Sequence, residues 1–237
     1  MEFSPGPDET LEPFLNGSLR ILQKKRGYRF SIDAILLSKF ICLRKDERAI
    51  DLGTGCGILP LLLSKTSPQT RSIVGIEIQK GLADLAGRNV VLNRLEQHVS
   101  IFRRDFKRLR RDFPPGSFDV VFSNPPYRKY HTGRVNPSLE KAVARHEIKG
   151  TLHDLTRLAA YLLPIKGRCY LIYPASRAID LLVTLRRHQL EPKRLRFVHP
   201  KKEGEAKFVL VESIKAGGTE LKILRPLFLD QSPLPTP

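Results

Sequence analysis

Apolar residues recur along the chain at two different spacings. Helical spacing of three or four predicts helices at residues 32–43, 57–65, 79–94, 151–163 and 177–188. Short apolar runs between them predict strands, and the run at 118–122 is typical of a buried strand. This alternation predicts an α/β fold, doubly wound around a mostly parallel sheet of seven strands. The last strands, at 194–199, 207–214 and 220–224, have no helices between them, which predicts an antiparallel edge.

A small hairpin and a helix are predicted upstream of the sheet, within residues 17–45. Residues 19–22 and 28–30 flank a basic segment that ends at Gly27, a residue suited to a turn. Ser31 precedes the helix at 32–43 and is expected to cap it. We expect a single domain at 17–229 between two flexible tails, 1–16 and 230–237, of which the second contains three prolines.

The chain carries a large surplus of positive charge. Among its 237 residues, 41 Lys and Arg stand against 24 Asp and Glu, which gives a net charge of +17 at pH 7. Such a surplus attracts polyanions. Nucleic acid is the first expectation, because the release of counterions drives binding to phosphates. An anionic membrane surface ranks second, and charge alone selects no particular base or sequence.

Cysteine usage and apolar patterning exclude several classes of protein. Cys42, Cys56 and Cys169 form no close pair, so neither a disulfide framework nor a CxxC metal or redox site is expected. No apolar run approaches the ~18 residues of a membrane span. The first residues lack the basic and apolar regions of a secretory signal. We therefore expect a cytoplasmic protein that binds nucleic acid and needs neither a metal nor a membrane.

A glycine-rich turn follows the predicted strand that ends at Asp51. Gly53, Gly55 and Gly57 occupy alternate positions, and glycine lets the backbone turn tightly and approach a ligand. The GxGxG spacing differs from the GxGxxG of dinucleotide sites, and the Gly-Lys-Ser/Thr of a phosphate-binding loop is missing. Asp51 disfavours a pyrophosphate and suits a positively charged ligand. Glu77, at the end of the next strand, suits ribose hydroxyls, so the sequence predicts a cofactor site at this edge.

The strand at 118–122 runs into an Asn-Pro-Pro-Tyr motif, formed by Asn124, Pro125, Pro126 and Tyr127. The two prolines fix two φ angles and remove two N–H donors, so the segment is rigid. The side-chain carbonyl of Asn124 accepts hydrogen bonds, and the ring of Tyr127 suits a planar group that carries an NH2. When two acceptors bind both hydrogens of that NH2 group, the electron density on its nitrogen rises and its lone pair points at an electrophilic methyl group. We predict that these four residues are catalytic.

Together these motifs resemble those of the class I S-adenosylmethionine-dependent methyltransferases. Asp-x-Gly-x-Gly-x-Gly with a later strand-end acid is similar to the cofactor site of that family, and Asn-Pro-Pro-Tyr resembles its amino methyltransferases. The resemblance implies a Rossmann-like fold and S-adenosylmethionine as the cofactor, with Asp105 accepting the adenine amino group and Phe106 packing on the ring. The cofactor-binding residues that it implies are Phe30, Asp33, Asp51, Gly53, Thr54, Gly55, Gly57, Glu77, Asp105, Phe106 and Asn124.

Two further segments bear on the substrate. Residues 28–37 resemble a segment of the adenine-N6 methyltransferases that modify valine tRNA. In that family the segment closes over the methionine end of the cofactor. That resemblance is what implies a cofactor role for Phe30 and Asp33. Residues 127–150 are basic and poor in apolar residues, and we expect a lid that grips phosphates near the target base. The candidate substrate-binding residues are Tyr127, Arg128, Lys129, Arg134 and Arg145.

The motifs leave the acceptor open. Adenine N6 of tRNA is the first expectation, and the alternatives are guanine N2 of ribosomal RNA and glutamine N5 of a protein. A non-catalytic RNA-binding protein with this fold is a third alternative, which the intact set of strand-end residues disfavours. The surplus of positive charge favours nucleic acid over protein. Basic pairs at 103–104, 107–108 and 110–111 are candidate phosphate contacts.

Overall fold

The computed structural model describes residues 4–125 and 151–231. It begins with an antiparallel hairpin of β1 (Glu9–Phe14) and β2 (Leu19–Lys24), so part of the predicted tail is a strand. The turn contains Asn16 and Gly17, with positive φ angles of 53° and 81°, and Asn-Gly is a strong signal for a tight hairpin turn. The prediction that residues 19–22 pair with residues 28–30 is wrong for this reason.

Five helices in the described parts of the chain lie where the apolar spacing predicts them. They are α1 (Ile32–Phe40), α2 (Ile58–Thr66), α3 (Lys80–Leu92), α4 (Leu152–Leu162) and α5 (Ala178–Arg187). A capping box begins α4: the Asp154 N–H donates to the Thr151 hydroxyl at 3.1 Å, and the Thr151 N–H donates to the Asp154 carboxylate at 3.2 Å. Ser31 precedes α1 without capping it through its side chain, since its hydroxyl donates to Asp33 at 2.5 Å instead.

The centre of the molecule is a mostly parallel sheet. Five parallel strands lie side by side in the order β7-β6-β3-β4-β5. Their bounds are β3 (Arg48–Leu52), β4 (Ser72–Glu77), β5 (Val99–Arg103), β6 (Val120–Ser123) and β7 (Arg168–Pro174). The predicted α/β fold with a mostly parallel sheet is confirmed.

Beyond β7 the sheet continues as an antiparallel edge. There β9 (Phe208–Lys215) lies antiparallel to both β7 and β8 (Leu190–His199), which confirms the predicted edge. The two-residue strands β10 (Lys222–Ile223) and β11 (Leu227–Phe228) pair with β8 in parallel, so the prediction of an antiparallel edge is wrong for the strand at 220–224. They bring the sheet to nine strands within the described residues, where seven are predicted. Of these two, β10 lies within the predicted strand at 220–224, whereas β11 was not predicted because its two residues leave no periodic pattern.

Both faces of the sheet are buried under helices. On β7, Tyr170 and Ile172 belong to one apolar cluster, whereas Cys169 and Leu171 belong to the other, as the alternation of side chains along a strand requires. The hairpin, α1, α2 and α3 contribute to the first cluster, and α4 and α5 contribute to the second. This two-sided burial explains the nearly continuous apolar runs of the parallel strands.

The parallel strands place several loops at one edge of the sheet. Because β3, β4, β5 and β6 run in the same direction, their carboxyl ends all lie at that edge. The strand order reverses between β3 and β6, since the chain passes from β3 through β4 and β5 on one side and then returns to β6 on the other. Ligands of such sheets bind beyond the carboxyl ends at this switch point.

Candidate active site

The glycine loop between β3 and α2 folds against the end of β4. The N–H groups of Gly53 and Thr54 both donate to the Ile76 carbonyl at 2.9 Å. Gly53, Gly55 and Gly57 have φ angles of 84°, 59° and 85°, which residues with side chains rarely adopt. The alternate glycines of the motif are therefore required by the backbone of this turn.

Glu77 lies buried at the end of β4 and supports the same loop. Its Oε2 accepts the N–H of Gly55 at 2.9 Å, and its Oε1 accepts the N–H of Gln79 at 2.9 Å. These two bonds orient the carboxylate toward the loop. The structure thus brings the acid predicted for ribose hydroxyls directly to the glycine loop.

Asp51 is fully buried, and neither of its carboxylate oxygens has a hydrogen-bond partner among the described residues. Burial raises the pKa of Asp51 from 3.8 to about 7, and the charge of Glu77 adds to the rise. The nearby Thr54 hydroxyl counteracts part of this pKa rise but makes no hydrogen bond of normal geometry. Buried polar groups are normally satisfied, so these atoms indicate a ligand with positive charge and N–H donors. S-adenosylmethionine has both, and the residues present fit it.

The third strand-end acid, Asp105, follows β5. The N–H of Arg104 donates to the carbonyl of Glu77 at 2.9 Å, which ties the end of β5 to the end of β4. Asp105 then caps the short 3-10 helix Phe106–Arg111. The side chain of Phe106 is half-buried against the apolar cluster beneath α4. The structure therefore places Asp105 and Phe106 at the same edge as the glycine loop.

Asn124 follows β6 on the other side of β3. Phe122 pairs with Asp51 in the parallel register. The hydroxyl of Ser123, a residue that the sequence did not single out, donates to the Leu52 carbonyl at 2.5 Å. These contacts hold the start of the Asn-Pro-Pro-Tyr segment next to the strand that leads into the glycine loop. The half-buried Asn124 is thus brought to the switch point.

The described part of the Asn-Pro-Pro-Tyr motif ends at Pro125. Pro125 is buried directly after Asn124. Six other predicted site residues lie outside the described residues, and their roles stay predictions: Pro126, Tyr127, Arg128, Lys129, Arg134 and Arg145.

The segment before α1 brings Tyr28 to the glycine loop, while the cofactor role of Phe30 stays a prediction. Phe30 packs edge-on against Phe14, with ring centroids 5.8 Å apart. Tyr28 lies over the loop instead, since a Cβ at Gly55 would stand 2.7 Å from its Cε1. Enclosure of the Tyr28 hydroxyl raises the pKa of Tyr28 well above 10, and the charge of the buried Asp33 adds to this. Tyr28 is the residue that sequence reasoning missed, because spacing alone cannot show which aromatic ring faces the glycines.

Comparison with known families agrees with this geometry. The sequence model of the family described as "Methyltransferase small domain" matches residues 31–156, more than half of the chain. The chain belongs to this family. The match includes the glycine loop and Glu77, Asp105 and Asn124. The prediction of an S-adenosylmethionine-dependent methyltransferase is confirmed.

Individual relatives extend this result. The chain is 29% identical to the tRNA1(Val) (adenine(37)-N6)-methyltransferase of Photobacterium profundum over 170 residues, which cover 71% of this chain and 70% of the relative. A predicted O-methyltransferase, Atu636 from Agrobacterium tumefaciens, superposes with a TM-score of 0.67 at 20% identity, over 86% of this chain and 92% of the other. TYW2 of M. jannaschii, solved in complex with AdoMet, superposes with a TM-score of 0.59 at 16% identity. The match covers 89% of this chain and 87% of the other. The structural likenesses confirm the fold.

Residues 4–125 and 151–231 bear on two further features, a membrane span and a metal site. None of the helices there is long and apolar enough to cross a membrane. In the same residues, no three His, Cys, Asp or Glu side chains are grouped in a way that would hold a metal ion.

Proposed function

We propose that this chain transfers a methyl group from S-adenosylmethionine to the N6 amino group of an adenine in tRNA. The observation that carries the proposal is the position of Asn124 at the switch point, beside the loop that follows Asp51, whose carboxylate has no hydrogen-bond partner among the described residues. The name of the relative, tRNA1(Val) (adenine(37)-N6)-methyltransferase, supports adenine in tRNA as the acceptor. The net charge of +17 favours RNA over protein.

Three carboxylates at the strand ends are proposed to hold the cofactor. Ionised carboxylates only accept hydrogen bonds, so Glu77 suits the ribose hydroxyls and Asp105 suits the adenine amino group. Asp51 faces the positively charged part. When bound, the cofactor supplies an electrophilic methyl group on a sulfonium.

Asn124 is proposed to act on the acceptor nitrogen. Its side-chain carbonyl accepts one N–H of the amino group, and Pro125, which has no N–H donor, keeps the segment rigid. As the nitrogen gains positive charge, the hydrogen bond to Asn124 strengthens, so it stabilises the transition state more than the ground state. Tyr127 is proposed to stack on the unpaired target base. A base within a helix would have to be flipped out to reach this pocket.

Replacing Asn124 by alanine tests this mechanism. We expect Asn124→Ala to lower methyl transfer by about 100-fold or more, the scale seen when a preorganised hydrogen bond to the transition state is lost. Its affinity for S-adenosylmethionine should change by less than about twofold, because the carboxylates that hold the cofactor remain. Transfer from labelled cofactor to bulk tRNA, ribosomal RNA, DNA and protein is measured side by side, with Asn93→Ala as the matched control outside the site.

Two results would contradict the proposal in different ways. Near-normal turnover of Asn124→Ala would show that Asn124 does not act on the acceptor nitrogen. Labelling of a glutamine-containing protein by the wild type, with no labelling of RNA, would refute tRNA as the acceptor while leaving the amino-transfer chemistry in place.

A further inference from the structure

A run of exposed basic side chains follows β5 at the edge of the sheet. We call it the basic ridge, and it comprises Arg103, Arg104, Lys107, Arg108, Arg110 and Arg111, all six of them exposed. Holding so many positive charges in one short segment is unfavourable by self-repulsion unless they meet an anionic partner.

Three of these cations have partners within the protein. Lys107 lies 3.4 Å from the carboxylate of Asp154 on α4. The guanidinium of Arg110 stands over the Tyr161 ring, 4.5 Å from its centroid. Arg104 lies 3.7 Å from Asp112. The contacts of Lys107 and Arg110 tie the ridge to α4, where Asp154 and Tyr161 lie.

The other three cations, Arg103, Arg108 and Arg111, make no ion pair or ring contact within residues 4–125 and 151–231. They are the uncompensated charges of the ridge. Arginine carries five N–H donors in a fixed fork, which matches the geometry of phosphate oxygens. Three exposed, unpaired guanidinium groups on one short segment therefore suit a chain of phosphates better than a single acid.

The ridge begins close to the cofactor site. Arg103 pairs with Glu77 in the register of β5 and β4, and the Arg104 N–H donates to the Glu77 carbonyl at 2.9 Å. Phe102 precedes the ridge and is 42% exposed, which leaves an aromatic surface for stacking on a base.

The separation from the target base follows from the strand order. Three strand intervals lie between β5, which leads into the ridge, and β6, which leads into Asn124. At about 4.8 Å per interval this is roughly 14 Å. That distance spans about four nucleotides of a stacked strand, at ~3.4 Å of rise per nucleotide.

We propose that the basic ridge binds the phosphate backbone of the tRNA substrate a few nucleotides from the methylated base. Arg103, Arg108 and Arg111 are the direct phosphate contacts, and Phe102 is a stacking surface for a neighbouring base. The inference rests on the proposed function for the identity of the RNA, and it places part of the RNA-binding surface outside the predicted segment 127–150.

A charge-neutralising triple variant tests the ridge. Filter binding of bulk tRNA to the full chain is measured at several KCl concentrations for R103A/R108A/R111A. We expect a loss in affinity of about tenfold or more. The slope of log affinity against log salt should become shallower by about 2 to 3, since each phosphate contact contributes roughly 0.7 to 0.9 to that slope. Calorimetric affinity for S-adenosylmethionine should stay within about twofold of the wild type.

The matched control removes the same number of charges elsewhere. Lys45 and Arg71 precede β3 and β4, and Lys65 lies in the last turn of α2, so all three lie at the opposite edge of the sheet. All three side chains are exposed. The variant K45A/K65A/R71A should keep the wild-type tRNA affinity and salt slope. F102A should lose affinity for tRNA with an unchanged slope, because stacking releases no counterions.

The possible failures can be told apart. If the wild type methylates tRNA but R103A/R108A/R111A binds it with unchanged affinity and slope, the ridge proposal is overturned and the proposed function stands. An equal loss in the control triple also overturns it, because the effect would then follow net charge alone. If the wild type binds tRNA through the ridge but methylates no RNA, the proposed function fails, the placement of the ridge relative to a methylated base fails with it, and only the binding of phosphates by the ridge stands.

Discussion

The carboxyl of Asp51 shows how one residue couples stability to ligand binding. Its pKa in the folded chain, about 7, lies above the ordinary value of 3.8, mainly because it is buried. A raised pKa means that the contribution of Asp51 to stability is fully present below about pH 3.8 and is lost as the pH rises through about 7. A cationic ligand has the opposite requirement, because it needs the ionised carboxylate.

We therefore expect the affinity for S-adenosylmethionine to rise with pH. Between about pH 6 and pH 7.5 the increase should be roughly eightfold, since the ionised fraction of a group with a pKa of about 7 rises from roughly 0.1 to 0.8. The α-amino group of the ligand, with a pKa near 8, stays largely protonated over this range. Calorimetric titration at several pH values measures the effect, and Asp51→Asn should bind more weakly with a flat profile.

Asp84→Asn is the matched control, because Asp84 is an exposed acid on α3 away from the loop. It should keep the wild-type pH dependence. A profile in Asp51→Asn as steep as in the wild type would assign the titration to another group.

At the scale of elements, two asparagines at the end of α3 bind the hairpin, and Asn89 also binds the glycine loop. The buried Asn89 accepts the Leu22 N–H at 2.7 Å and donates to the carbonyls of Leu22 at 3.0 Å and Cys56 at 2.9 Å. One turn later, Asn93 accepts the Arg20 N–H at 2.9 Å and donates to the Arg20 carbonyl at 2.7 Å. These side chains take the place of a neighbouring strand along the free edge of β2.

Asn89→Leu should lower the free energy of unfolding by about 3 kcal/mol. The change removes one acceptor and two donor bonds from buried backbone groups, and each unsatisfied group costs about 1 to 3 kcal/mol. Asn93→Leu breaks the two hydrogen bonds to Arg20, which are exposed, so water replaces them. The free energy of unfolding should therefore fall by less than about 1 kcal/mol. Denaturant titration of both variants measures the difference, and equal losses would contradict the role of Asn89 as a buried link.

At the scale of the whole molecule, the surplus charge acts against folding while it favours RNA. A net charge of +17 repels itself in the compact state. Local compensation exists, as where the buried Arg168 pairs with Glu47. Such pairs do not change the net charge, so the long-range repulsion remains and is sensitive to screening by salt.

Raising KCl from about 0.1 M to about 1 M should therefore raise the temperature of thermal unfolding of the free protein. The screening length falls from about 10 Å to about 3 Å, and each kcal/mol gained corresponds to roughly 2 to 4 °C for a chain of this length. Bulk tRNA should stabilise the protein at low salt and lose this effect at high salt, so the two salt dependences have opposite signs. A midpoint that falls with KCl in the absence of RNA would refute the argument from net charge.

The sequence by itself determined the fold class and the chemistry of the strand ends, because both depend on patterns among residues that are close together in the chain. Helical spacing located the helices, and Thr151 with Asp154 marked the start of α4. The alternate glycines predicted positive φ angles, because glycine is the residue that adopts them readily. Asn-Gly at 16–17 was an equally local signal for the hairpin turn, although the basic segment ending at Gly27 resembled a second turn.

The tertiary structure alone decided which distant residues meet. Asn89 and Leu22 are 67 positions apart in the chain, and neither the helical period of α3 nor the composition of β2 shows that they bond. The approach of Tyr28 to Gly55 and the loss of every partner for Asp51 among the described residues are of the same kind. Periodicity fixes the face on which a side chain lies, whereas burial and pairing depend on what the rest of the fold brings against that face.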